Sequence, residues 1–260
     1  KFRIEENIGP IVENPIRSLD DVTVLRDFDP ERDASFVYDG IEATISKLND
    51  SVPLIGFSGA PFTLAGYIIE GAPSRELERT RALMYSQPET WKALMERLTR
   101  MVKEYLRRQV KHGVRAVQLF DSWVGCLSKD DYEQYVFEYT KDIFDSLDGV
   151  VPGIHFCANS GLLIESFQKV GPDVMSVDWR VSIDEVWRRT KEQLAVQGNL
   201  DPALALAGGE TMESKVRGIL ESASGQRGHI FNLGHGVLRE TPPENARRIV
   251  EIVHKETKRS

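Results

Sequence analysis

From Pro30 onward the hydrophobic positions alternate between two rhythms: short continuous apolar runs, and longer stretches with apolar residues every third or fourth position. The first rhythm predicts buried parallel strands, the second amphipathic helices. Phe36, Val37, Ile41, Ile45 and Leu48 follow Pro30 at helical spacing, so residues 31–49 are expected to form a helix. The run from Val52 to Pro61 reads as a short apolar strand ending in small residues. Helical sequence resumes through Tyr67 and Ile69 to Gly71, and a further helix is expected near residues 74–86. Another, over residues 89–112, carries Trp91, Leu94, Leu98, Met101, Val102, Tyr105 and Leu106 on one face, with His112-Gly113 as its stop.

The beat then becomes regular. Strands are expected at residues 116–121, 153–157, 173–178, 194–199 and 229–233, with helices at 129–147, 161–170, 182–191, from 202 to about 223, and at 243–257. Strand–helix alternation of this kind implies a parallel sheet covered by helices. Gly56-Phe57-Ser58-Gly59 is not a dinucleotide-binding glycine pattern, and no phosphate-binding loop motif occurs. The expected architecture is therefore α/β, a single (β/α)8 TIM-barrel domain over residues 1–260. Six strand–helix units are visible, whereas a closed barrel takes eight. Residues 1–29, broken by Pro10 and Pro15, read as loop with at most one short element, too short for two strands and an intervening helix. The first two units are thus expected to be missing from the N-terminal side.

A polar or small residue closes nearly every strand: Ser58, Asp121, Asn159, Asp178, Asn199 and His235. In parallel α/β folds the carboxyl ends of strands carry the chemistry. His235 stands out because Gly234 and Gly236 flank it, allowing a sharp turn and close approach of a ligand. Composition narrows the function. With 41% hydrophobic and 28% charged residues and no membrane-length apolar run, the sequence is that of a soluble globular protein without a membrane partner. A net charge of −7 argues against a general nucleic-acid binder, and requires any anionic ligand to find a locally positive pocket. Two cysteines, Cys126 and Cys157, cannot build a disulfide framework, so a cytoplasmic location is expected.

Several segments, in order, resemble the uroporphyrinogen decarboxylase family: Gly56-Phe57-Ser58-Gly59-Ala60-Pro61-Phe62-Thr63-Leu64 with Tyr67-Ile68-Ile69-Glu70-Gly71; Gln118-Leu119-Phe120-Asp121-Ser122-Trp123; Val177-Asp178-Trp179-Arg180; Gln197-Gly198-Asn199-Leu200-Asp201-Pro202; and Asn232-Leu233-Gly234-His235-Gly236 with Glu240-Thr241-Pro242-Pro243-Glu244-Asn245. The resemblance implies one TIM barrel, working as a homodimer without metal or organic cofactor. It implies removal of carbon dioxide from the four acetate side chains of uroporphyrinogen, giving coproporphyrinogen for heme and related tetrapyrroles. Tyr67 matches the family's tyrosine beside its catalytic carboxylate, Ser122 a substrate-contacting serine, and His235 a histidine facing a substrate carboxylate. Phe57 and Phe120 match apolar walls of the cleft. Taken singly, Tyr67, Phe57 and Phe120 would be core residues and Ser122 a helix cap. The family's essential arginines and catalytic aspartate correspond to positions upstream of Lys1. Arg3, Arg17 and Arg26 do not match them, so activity is expected only where that segment is present.

Two other readings share the fold. Related cobalamin-dependent methyltransferases hold zinc through a His-x-Cys pair and a later cysteine, and His155-Phe156-Cys157 resembles the pair. The later position carries His235, which argues against the site. The other reading is a non-catalytic barrel that binds a tetrapyrrole without turnover.

Overall fold

The computed structural model describes residues 2–5, 9–48, 52–74, 76–224, 226 and 228–257. By its internal contacts the chain divides into two compact units, Lys1–Gly153 and Ile154–Ser260.

The first unit opens with a hairpin, β1 (Phe2–Glu5) and β2 (Gly9–Val12), paired antiparallel with Phe2 opposite Val12. A short helix follows, α1 (Leu19–Thr23), started by a reciprocal cap between Ser18 and Asp21. These elements correct the expectation of loop over residues 1–29. Four-residue strands are too short to show a period, and both strands of a hairpin are edges, where proline is tolerated. The helix α2 (Pro30–Ile45) begins at Asp29, whose carboxylate accepts from the backbone N–H of Glu31 and Arg32, and ends short of Leu48. The strand β3 (Ile55–Gly59) is followed by α3 (Pro61–Glu70), α4 (Glu78–Ser86) and α5 (Pro88–Lys111). Next come β4 (Ala116–Phe120), α6 (Lys129–Tyr135) and α7 (Phe137–Asp145).

β3 and β4 run parallel, Ile55 beside Ala116 and Gly59 beside Phe120. The amphipathic stripe of α5 is buried as the period predicts, through Trp91, Leu94, Leu98, Val102 and Leu106. Near its end Gln109 does a strand's work: its Oε1 accepts from the Phe57 N–H at 2.9 Å and its Nε2 donates to the Phe57 carbonyl at 2.8 Å. Gly56 makes room, since a Cβ there would lie 2.5 Å from Gln109 Oε1. The one helix expected over residues 129–147 is two. Val136 leaves helical dihedrals at φ −128°, although its N–H still reaches the Tyr132 carbonyl at 3.0 Å.

In the second unit the rhythm is uninterrupted. β5 (Gly153–Cys157), α8 (Ile164–Val170), β6 (Val174–Val177) and α9 (Ile183–Thr190) are followed by β7 (Ala195–Leu200), α10 (Pro202–Ala207) and α11 (Gly209–Ser222). β8 (His229–Leu233) and α12 (Pro243–Thr257) close it. The strands lie side by side in chain order, all parallel, with Ile154 beside Val174, Val174 beside Ala195 and Val196 beside His229. Every residue of β5 and β6 is buried, which is why these strands read as unbroken apolar runs. β8 alternates in burial from residue to residue, as a strand with one covered face does. The strand–helix rhythm thus occurs twice in the first unit and four times in the second, and the six strands fall where the sequence placed them.

Candidate functional site

The strand-end residues of the first unit gather around α3. Proline at the first helical position starts α3, and Gly71, at φ 80°, ends it. Tyr67 sits on its exposed side with 49% of its surface open, so it is not core. The loop after β4 is fastened to this helix at two points one turn apart. Thr63 Oγ1 donates to the fully buried Asp121 carboxylate at 3.3 Å, and Trp123 Nε1 donates to the Tyr67 hydroxyl oxygen at 3.0 Å. Ser122 lies between those fastenings. The 3-10 turn that follows, Val124–Cys126, has Trp123 at its cap and no side-chain cap bond, so Ser122 is not engaged as the cap. Phe57 and Phe120 meet edge to face, ring centroids 5.8 Å apart, and Phe57 is 60% exposed. They form an apolar ledge rather than core. A cavity of about 750 Å³ opens beside Tyr67 and Trp123, walled by Val12, Leu64, Ile68 and Leu77.

The second unit presents His235. It is exposed in the turn after β8, and its ring meets Phe156 at 5.8 Å, tilted 69°. Gly234 is needed there: a Cβ would lie 2.7 Å from the Trp179 backbone N and 3.0 Å from Asp178 Cα. Gly236 has nothing within 4 Å of such an atom. The strand-end polar residues of this unit mostly brace one another. Asp178, fully buried, accepts from the Asn159 N–H at 2.8 Å and the Arg180 N–H at 3.3 Å. Asn199 Nδ2 donates to the carbonyls of Asp178 at 2.9 Å and Val181 at 2.5 Å. Asn159, Asp178 and Asn199 therefore brace the loops at these strand ends.

No group of three His, Cys, Asp or Glu side chains among the described residues is placed to hold a metal ion. The direction of β5 explains why His155, Cys157 and His235 are no such set. Alternate residues of a strand face opposite ways, and Phe156 meets His235 while His155 packs on Phe167 of α8 at 4.5 Å. His155 and Cys157 thus point to the helix side, and Cys157 Sγ donates to the Ala158 carbonyl at 3.0 Å. Burial pushes the Cys126 thiol up to about 11, which keeps it protonated near neutral pH. Arg17 and Arg26 serve structure: Arg17 donates to the carbonyls of Ile16 and Ile69, and Arg26 pairs with Asp33 at 2.7 Å. Sequence reasoning named Asp121, Trp123, Asp178 and Arg180 within motifs but gave them no role. The signal lay in their position at strand ends, but each depends on a partner or a packing contact that the pattern does not reveal.

A family model described as uroporphyrinogen decarboxylase matches residues 1–256. A protein named uroporphyrinogen decarboxylase from Carboxydothermus hydrogenoformans is 46% identical over 254 residues, covering 97% of this chain and 73% of that protein. One of the same name from Streptomyces coelicolor is 46% identical over 257 residues, covering 98% and 72%. Among solved structures, a methyltransferase from Methanosarcina mazei superposes with a TM-score of 0.83, covering 99% of this chain and 76% of that one, at 16% identity. At that identity the likeness shows the fold alone, an α/β chain of the TIM-barrel kind.

Proposed function

Because the chain belongs to the uroporphyrinogen decarboxylase family, we propose that it removes carbon dioxide from the four acetate side chains of uroporphyrinogen, yielding coproporphyrinogen for tetrapyrrole synthesis. The observation that carries this reading is identity of 46% with named decarboxylases across nearly the whole chain. The chemistry needs no added electron sink. Protonation of a pyrrole ring carbon makes the ring cationic; the bond from the acetate methylene to its carboxylate then breaks, and the electron pair flows into the ring. Carbon dioxide leaves, a proton added at the exocyclic carbon completes the methyl group, and the ring carbon gives up the proton it took, which restores the neutral pyrrole.

The described residues supply binding and orientation for this sequence of steps. Since the Tyr67 oxygen accepts from Trp123, its own proton is directed elsewhere, and the hydroxyl acts as a donor to an anionic group. His235, exposed between glycines, presents a ring N–H to a substrate carboxylate, and the Ser122 hydroxyl donates in the same manner. The edge-to-face pair Phe57 and Phe120 receives an apolar ring face. The chain is further read as a cytoplasmic homodimer. Neither cysteine is in a disulfide, and among the described residues no helix is long and apolar enough to cross a membrane. Sedimentation of the purified protein tests the dimer.

The decisive experiment is anaerobic incubation of the full-length protein with uroporphyrinogen, following porphyrinogen carboxylate number and released carbon dioxide. Stepwise loss of four carboxylates is expected. Binding without release would instead identify a non-catalytic homologue, and stoichiometric zinc with methyl transfer to a thiol would identify the methyltransferase reading.

A further inference from the structure

The turn after β6 holds a cation that the reading above leaves without a task. Arg180 has half its side chain exposed, yet its position is fixed from three directions. Its Nη1 donates to the buried Asp178 carboxylate, and its guanidinium lies over the Trp179 ring, 4.3 Å from the centroid. Its backbone belongs to a turn that Asn199 ties at both ends, through the Asp178 and Val181 carbonyls. The same turn is the one against which Gly234 is packed so closely that no Cβ fits, and His235 follows directly. Asp178 does not depend on Arg180 alone, because two backbone N–H groups also point at its carboxylate. Arg180 Nε and Nη2 make no hydrogen bond among the described residues, which leaves a planar fork with unused donors at the carboxyl end of a barrel strand.

We propose that Arg180 is a further substrate-binding residue, its outer guanidinium edge receiving a carboxylate side chain of the porphyrinogen, in the same strand-end region as His235. An acidic chain of net charge −7 needs fixed local cations to hold a polyanion. An arginine whose rotamer is already set by stacking and a buried carboxylate loses little entropy on doing so. The inference rests on the decarboxylase reading. The alternative assignment is that Arg180 only neutralises Asp178.

Steady-state kinetics of R180Q, R180K and R180Q/D178N on uroporphyrinogen separate the two, with thermal unfolding of each variant alongside. Substrate binding by Arg180 is expected to raise KM roughly tenfold to a hundredfold in R180Q, with kcat changed less than about threefold. R180K is expected to recover part of that loss, and R180Q/D178N to keep the high KM although the charges balance. A double variant with wild-type KM would overturn the proposal, as would an R180Q variant that folds and binds substrate as the wild type does. Should wild-type protein fail to turn over uroporphyrinogen at all, the decarboxylase reading fails first, and titration with uroporphyrinogen still decides whether R180Q weakens binding.

Discussion

The two units fix their strand ends by different means. In the first, side chains reach over from neighbouring elements and clamp: Gln109 on the Phe57 backbone, Thr63 on Asp121, Trp123 on Tyr67. In the second, part of the positioning comes from the absence of a side chain, with Gly234 pressed on the Asp178–Trp179 backbone. A clamp can be loosened by removing one polar atom and leaves the packing in place. A close backbone approach tolerates nothing extra, because the neighbouring atoms are main chain and cannot swing aside. Tyr67 and His235 are therefore expected to respond to mutation in opposite ways, one to deletion and the other to addition.

The sharpest test of that contrast is Gly234→Ala. The new Cβ would stand 2.7 Å from the Trp179 N and 3.1 Å from the Asp178 carbonyl carbon. Relief requires moving two turns, so a stability loss of about 3 kcal/mol is expected, with displacement of His235 and a large fall in activity. Gly236→Ala, two residues on and open, should stay within about 0.5 kcal/mol of wild type. Chemical denaturation of the pair checks this, and equal behaviour of the two variants would dissolve the distinction between the units.

Next in size is Gln109→Ala, which strips both partners from the Phe57 backbone at once. Orphaned backbone groups beside a side chain 60% exposed can recruit water, so the loss should be about 2 kcal/mol rather than the full burial cost. Gln109→Glu keeps the acceptor for the Phe57 N–H and sets a carboxylate against the Phe57 carbonyl. It should therefore be no better than alanine, and a near-wild-type midpoint for it in urea would count against the clamp.

Such long-range partnerships mark the limit of what the chain discloses in advance. The strand–helix rhythm was legible because buried parallel strands and amphipathic helices each impose a period, as in β5, β6 and α5. The hairpin β1–β2 was not, since four-residue strands carry too few positions to show one. Tyr67, Ser122 and His235 were named as candidates from their motifs, Ser122 and His235 just past strands and Tyr67 on the helix after β3. Their supports were not, because Trp123 lies 56 residues from Tyr67 and Gln109 lies 52 from Phe57. Alternation along β5 did hold one unread clue: the one-residue gap between His155 and Cys157 puts both opposite Phe156, away from the ring of His235.

Trp123→Phe isolates the clamp on Tyr67. The indole ring is largely replaced in shape, and only the N–H to Tyr67 is removed, so stability should change by less than about 1 kcal/mol. Tyr67's hydroxyl then regains the freedom to accept from other donors, and KM for uroporphyrinogen is expected to rise about fivefold. Wild-type kinetics in this variant would mean that the hydroxyl's orientation is set by something else. Tyr67→Phe should show a comparable KM effect, and combining the two should add little, since one removes the hydroxyl and the other only the bond that orients it.

The smallest expected effect concerns the second unit's own clamp, His229, whose Nε2 donates to the Gly198 carbonyl at 3.0 Å. Burial pushes its imidazole below the ordinary 6.5, and the bond to Gly198 only partly opposes that. With the folded value depressed, the unfolded chain takes up the proton first. Stability from this group is therefore complete above about pH 6.5 and declines as pH falls through that value, levelling once the folded imidazole also titrates. The wild-type thermal midpoint should drop between pH 7.5 and 5.5 more than that of His229→Gln, which keeps a donor for Gly198 and cannot titrate. If the two curves run parallel, the burial of His229 is not linked to the pH dependence of stability, and the side-chain clamp at Gly198 contributes none.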